Sequence, residues 1–354
     1  MYKRVAKVLF IIILLVVSGI IPADISGQSR LDNPKPIKAV EALINAFDRY
    51  PLVALGEAHQ SQTEHEFIAS MIKHPAFAAK VNDIIVEFGN ALYQPIMDRY
   101  IAGETVARTD LRQVWRNTTQ PTMILDAPIY ERFFGAVRAV NQNLPKQKQL
   151  RVLLGDPPID WDAIKSRADL RPSMFDRDGH FVSVVEKEAL AKGRKALLIS
   201  GTAHLIRCCL SESQGVTAAI EKSHPGAVFV VMPHQGFGER NDELEKRLAS
   251  WPNPGLAHVK NTWLGGLSPG VGYPVSNSII TLLPDGGRVP FSSKFKGMKF
   301  QDMTDAYLYL GPKDSVIIDD TIPPEVLQDE EYQRELQRRQ QLRGGNQMRA
   351  TQRP

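Results

Sequence analysis

Two stretches of this sequence end alike. Leu52-Val53-Ala54-Leu55 runs into Gly56-Glu57-Ala58-His59, and Ala196-Leu197-Leu198-Ile199-Ser200 runs into Gly201-Thr202-Ala203-His204. Each apolar run reads as a buried strand, and each Gly-x-x-His leads into a segment that reads as helix. Strand, tight turn and helix in that order, twice, require parallel strands joined by helical crossovers. They also place two imidazoles at the carboxyl edge of one sheet, where open α/β sheets keep their ligands.

The alternation continues from residue 36 onward. Apolar strand runs are expected at Leu52–Leu55, Asp83–Phe88, Leu150–Leu154, Ala196–Ser200 and Ala227–Met232. Helical spacing is expected over Ile37–Tyr50, Thr63–Lys73, Leu92–Ala102, Asp110–Arg116, Ile129–Asn143 and 174–192. Near-continuous apolar strands between helices imply a sheet covered on both sides. The expected fold class is therefore α/β, with a mostly parallel central sheet, helices on both faces and a loop-rich C-terminal extension.

Four parts are expected: a signal peptide or anchor over 1–27, an α/β catalytic or binding core over 28–235, a loop-rich extension of that core over 236–327, and a polar tail over 328–354. The extension is marked by frequent Gly and Pro, with strand-like pieces at Ser278–Leu283 and Ala306–Leu310. The tail, rich in Gln, Arg and Glu, is expected to be disordered with a frayed helix.

Lys3, Arg4 and Lys7 precede an apolar run from Val8 to Ile21, and Pro22 follows it. This is the pattern of a secretory signal, cleaved after Ala23 or Gly27, or left as an N-terminal anchor. A secreted or periplasmic protein is expected, touching a membrane only through an uncleaved N-terminal segment. Cys208 and Cys209 are adjacent. Neighbouring cysteines bridge only through a strained ring, so buried thiols on the helix after His204 are expected. A net charge of +4 over 354 residues, without a basic stripe, argues against nucleic acid.

The chemistry-bearing residues gather at strand ends. Glu87 ends the apolar run Ile84-Ile85-Val86, where a carboxylate is costly unless paired or near solvent. His59, His204 and Glu87 form a set able to hold a divalent metal or to work metal-free as acid and base. Glu57, two residues before His59, points the same way if strand geometry persists. Glu64 and His65 read as a solvated helix face, and Asp156 as a further site member. In Asp176-Arg177-Asp178-Gly179-His180, the aspartates suit a helix cap, Arg177 suits a carboxylate or phosphate clamp, and His180 suits the cleft. His74, His224, His234 and His258 carry no assigned role.

Leu55-Gly56-Glu57-Ala58-His59, Glu64, Val86-Glu87, Arg177-Asp178 and Gly201-Thr202-Ala203-His204 together resemble the superfamily joining erythromycin esterases, ChaN-like haem-binding uptake proteins and Tiki/TraB proteases. The resemblance covers residues 36 to 235. The Gly-Glu-x-His spacing is similar to the ChaN and Tiki pattern, and the Arg-Asp segment resembles the esterase branch. The esterase branch implies metal-free water activation, the Tiki branch a divalent metal and peptide hydrolysis, and the ChaN branch haem at a dimer interface. The leading expectation is an exported hydrolase of ester or peptide bonds, acting on a small molecule or peptide through Glu57, His59, Glu87, Arg177, His180 and His204. A divalent metal would sit on His59, Glu87 and His204. The alternative is a ChaN-like envelope protein that holds haem or a metal and catalyses nothing. No haem-contacting residue and no oligomeric state follow from the sequence.

Overall fold

The computed structural model describes residues 31–120, 122–170, 176–207, 215–234, 242–269, 280–282, 288–290 and 295–343. The N-terminal segment 1–27, Cys208 and Cys209, and the last part of the expected tail lie outside the described residues. From Asp32 on, the described chain belongs to one compact unit.

The five strands expected in the core all form, each extended by one or two residues at the end that carries chemistry. They are β2 (Leu52–Glu57), β3 (Asp83–Asn90), β4 (Arg151–Asp156), β5 (Ala196–Gly201) and β6 (Val228–Pro233). With β1 (Ile37–Lys38), β7 (Gly255–His258) and β10 (Ala306–Tyr309) they build an eight-stranded sheet in the order β1-β7-β10-β6-β2-β5-β3-β4. The run from β10 to β4 is parallel throughout, and β7 joins β10 and β1 antiparallel. The extension thus supplies strands to the central sheet. A separate antiparallel pair, β8 (Ile280–Leu282) and β9 (Arg288–Pro290), lies within it.

Side-chain alternation explains why the runs are apolar throughout. Val53, Leu55, Ile84, Val86, Val152, Leu154, Leu197 and Ile199 share one core. Leu52, Ala54, Ile85, Leu153, Ala196 and Leu198 share another. Successive residues point to opposite faces, so each strand must be apolar on both. The first core is covered by α1 (Ala39–Ala46), α2 (Gln62–Lys73), α3 (Pro75–Lys80), α4 (Gln94–Ile101), α5 (Arg108–Arg116) and α6 (Pro128–Asn141). The second is covered by α7 (Arg177–Val184), the one-turn α8 (Thr202–Leu205) and α9 (Val216–Ser223). Met232, Tyr307 and Tyr309 form a third cluster with Leu244 and Leu248 of α10 (Asp242–Leu248).

The tail corrects its expectation. After α11 (Pro324–Leu327), α12 (Glu330–Leu342) is helical and docked, with Tyr332, Leu336 and Arg339 buried. These three recur at helical spacing, so one narrow stripe packs while the rest stays charged. Arg339 reaches back to the Arg116 carbonyl at 2.9 Å and to Asn117 Oδ1 at 2.8 Å. No helix among the described residues is long and apolar enough to cross a membrane.

Candidate active site

The β2–β5 register sets Glu57 level with Gly201 and Gly56 level with Ser200. The two Gly-x-x-His turns therefore lie side by side and interlock. A Cβ on Gly56 would fall 2.6 Å from Thr202 Oγ1, so only glycine lets the second turn close against the first. A Cβ on Gly201 would lie 3.3 Å from Glu87 Oε2 and 3.6 Å from both His59 Cε1 and His204 Cδ2. The two imidazoles thus meet over one glycine, beside one carboxylate.

Glu57 is 2% exposed and fully engaged. His59 Nδ1 lies 3.1 Å from its Oε2, while His65 Nε2 and the Tyr130 hydroxyl each lie 3.0 Å from its Oε1. Burial alone would raise the Glu57 pKa, but attraction and hydrogen bonding from His59 and His65 prevail and lower it to about 2. The same balance acts on His59. Burial disfavours its charge, yet Glu57, and to a lesser degree Glu87, push it up to about 9. At neutral pH this is an imidazolium–carboxylate pair.

Glu87, 6% exposed, is held by a different set of groups. Its Oε1 takes the Arg177 guanidinium at 2.7 Å and lies 3.4 Å from His204 Nε2. Its Oε2 accepts from Ser200 Oγ and the Gly201 backbone N–H, both at 2.7 Å. Burial works against the charge, but His204, Arg177 and His59 hold Glu87 well below the usual carboxylate range. His204 is in turn held by Asp178, whose Oδ1 lies 2.6 Å from Nδ1. Burial opposes protonation of His204, while Glu87 and Asp178 raise its pKa above the ordinary 6.5. The rings of His59 and His204 remain 30% and 29% exposed, so both open to the cleft.

Asp156, at the end of β4, accepts from Thr119 N and Oγ1, both at 2.6 Å, and faces Arg177 at 3.3 Å. It anchors the loop that presents Gln120, whose Nε2 lies 3.5 Å from His59 Nε2 and 3.4 Å from Glu87 Oε1. Burial raises Asp156 to about 6 despite Arg177. Glu87, Arg177, Asp178 and His204 help line a hollow of about 10 Å³, room for about one water.

Four expectations are corrected. His180 does not reach the cleft: it lines a separate groove of about 630 Å³ beside Gln94, Leu153 and Glu188. Two residues on from Asp178, about 200° round the helix, it points away from the site. Arg177 clamps two carboxylates of the protein itself, Glu87 and Asp156, because both are buried at adjacent strand ends. Glu64 and His65 are buried, since α2 lays that stripe on the sheet. Glu64 Oε2 accepts the Ala58 N–H at 2.7 Å, and burial raises its pKa well above normal. Asp176 occupies the N-cap position of α7 without a side-chain cap bond.

A metal on His59, Glu87 and His204 does not fit either. Both Glu87 oxygens already face donors, one of them a guanidinium that a cation would have to displace. No group of three His, Cys, Asp or Glu side chains among the described residues is placed to hold a metal. Sequence reasoning passed over Gln120 and Tyr130, which carry no motif, and gave Asp178, part of the Arg177-Asp178 motif, the role of a helix cap or dipole partner.

No protein-family model and no curated protein matches the chain. Among solved structures it is similar to an erythromycin esterase variant, EreC, in its open conformation, at 11% identity over 80% of this chain and 95% of that one, with a TM-score of 0.49. It is similar to a Bacillus cereus protein at 9% identity, over 79% and 95% of the two chains, TM-score 0.49. It is also similar to ChaN of Campylobacter jejuni, solved with cofacial haem, at 13% identity, 59% and 93% coverage, and TM-score 0.38.

Proposed function

We propose that this protein is a hydrolase of ester or peptide bonds that activates water between His59 and His204. One observation carries the reading: two part-exposed imidazoles, each held at Nδ1 by its own carboxylate, converge on a third carboxylate. Carboxylate-held imidazoles are suited to moving protons because tautomer and ring orientation are fixed.

Water is the nucleophile in this reading. Ser200 is buried and spends its hydroxyl on Glu87, and Thr202 is buried as well. His204, in its form without a proton at Nε2, takes the proton from water as its oxygen attacks the carbonyl carbon. His59, an imidazolium up to about pH 9, faces the negative charge developing on the carbonyl oxygen. His204 then returns the proton to the leaving alcohol or amine as the tetrahedral intermediate collapses. Glu57 and Asp178 orient the rings. Glu87, locked by Arg177, Ser200 and Gly201, holds the charge balance between them.

The test is turnover of a panel of nitrophenyl esters and short peptides by the parent, His59→Ala and His204→Ala. Each variant should lose about 10³-fold or more in kcat. Equal turnover by all three contradicts the reading. A Soret shift on adding haem, lost in the same variants and without hydrolysis, would establish the haem-holding alternative instead. We propose also that the protein is exported, on the strength of Lys3, Arg4, Lys7 and the apolar run behind them. Fractionation that finds it in the cytoplasm contradicts this.

A further inference from the structure

The chain leaves β2 through a turn at Gln60, a non-glycine residue with φ of 67°. Left-handed backbone is unfavourable for such a residue, so the surroundings must hold it there. They do so on both sides of the residue. The Gln60 carbonyl accepts from Asp319 N at 2.8 Å, and the Gln60 N–H donates to the Tyr130 hydroxyl at 3.2 Å. That same hydroxyl donates its own proton to Glu57 Oε1 at 3.0 Å.

Gln60 follows His59 directly, and Glu57 is the carboxylate on His59 Nδ1. One oxygen atom therefore touches the backbone on one side of His59 and its orienting group on the other. The Tyr130 ring is wholly buried, 5.1 Å from His65 and 4.9 Å from Phe88 by ring centroids, so the hydroxyl has no freedom to leave. Burial and the Glu57 charge push its pKa well above normal, and the proton it donates stays in place. His65 donates to the same Glu57 oxygen but has no bond to Gln60.

We infer that Tyr130 is a positioning residue for His59: its hydroxyl bridges the Gln60 amide and the Glu57 carboxylate, and so fixes the imidazole against both. It acts on His59 through these two groups. The inference rests on the reading of His59 as a working group, but its geometry is testable without a substrate.

Tyr130→Phe keeps the ring and deletes the bridge. The first readout is the proton resonance of His59 Nδ1–H, assigned by its loss in His59→Ala. It should be downfield and protected from exchange in the parent, and shifted or broadened in Tyr130→Phe. The second is kinetic: kcat should fall on the order of 10- to 100-fold with KM essentially unchanged. His65→Phe removes a donor from Glu57 but leaves Gln60 held, and should perturb both readouts less. An unmoved resonance in Tyr130→Phe, or equal effects of the two variants, overturns the inference. A moved resonance in a protein that hydrolyses nothing upholds it while refuting the hydrolase reading.

Discussion

Glu57 and Glu87 are buried carboxylates toward the ends of β2 and β3, with β5 between them, and the protein stabilises their charges in opposite ways. Glu57 is surrounded by groups that titrate or are neutral: His59, His65 and Tyr130. Glu87 has a guanidinium, a hydroxyl and a backbone amide, with His204 further off. A guanidinium keeps its charge at any working pH, whereas an imidazole does not. The charge of Glu87 is therefore balanced by a fixed partner, and that of Glu57 by partners that themselves titrate.

The largest effect should come from breaking the fixed frame. Glu87→Gln leaves Arg177 and His204 buried beside a neutral amide, and should cost about 3 kcal/mol in stability and about 10³-fold in kcat. Denaturant melts and steady-state kinetics check both. In Glu57→Gln the loss should be smaller, about 1–2 kcal/mol, because His59 can shed its proton instead of staying charged without a partner. If the two variants are equally unstable, the contrast between the fixed and the titrating partners fails.

Stability against pH sharpens the same contrast. Glu57 is lowered from 4.5 to about 2, so its contribution is complete above 4.5 and lost as pH falls toward 2. His59 is raised from 6.5 to about 9, so its contribution is complete below 6.5 and lost as pH rises toward 9. Both describe one ion pair, to be counted once. Asp156, raised from 3.8 to about 6, works the other way from Glu57: its share is present below 3.8 and lost as pH rises through 6. The denaturation midpoint in urea should therefore decline on the alkaline side toward pH 9, and Glu57→Gln should flatten that decline. The smallest effect belongs to His180→Ala, which should leave kcat and KM unchanged because His180 lines a different groove.

The sheet was readable because strands buried on both faces must be apolar at every position, and the runs at Leu52–Leu55 and Ala196–Ser200 are. The gathering of Glu57, His59, Glu87 and His204 at one sheet edge was readable for the same reason, as polar groups closing apolar runs. Asp178, Gln120 and Tyr130 were not, because they reach the site from a helix, a loop and a second helix, and only tertiary packing brings them there. The strand β7 was hidden by Pro252 and Pro254 just before it. The docking of α12 was hidden by composition, since Tyr332, Leu336 and Arg339 are a buried stripe in a charged segment.

The pH dependence of kcat/KM in the parent and in Glu57→Gln tests the division of labour most directly. The parent should show an alkaline limb near pH 9, and the variant should bring that limb down toward 6.5. A limb that stays put when Glu57 is neutralised would contradict the account.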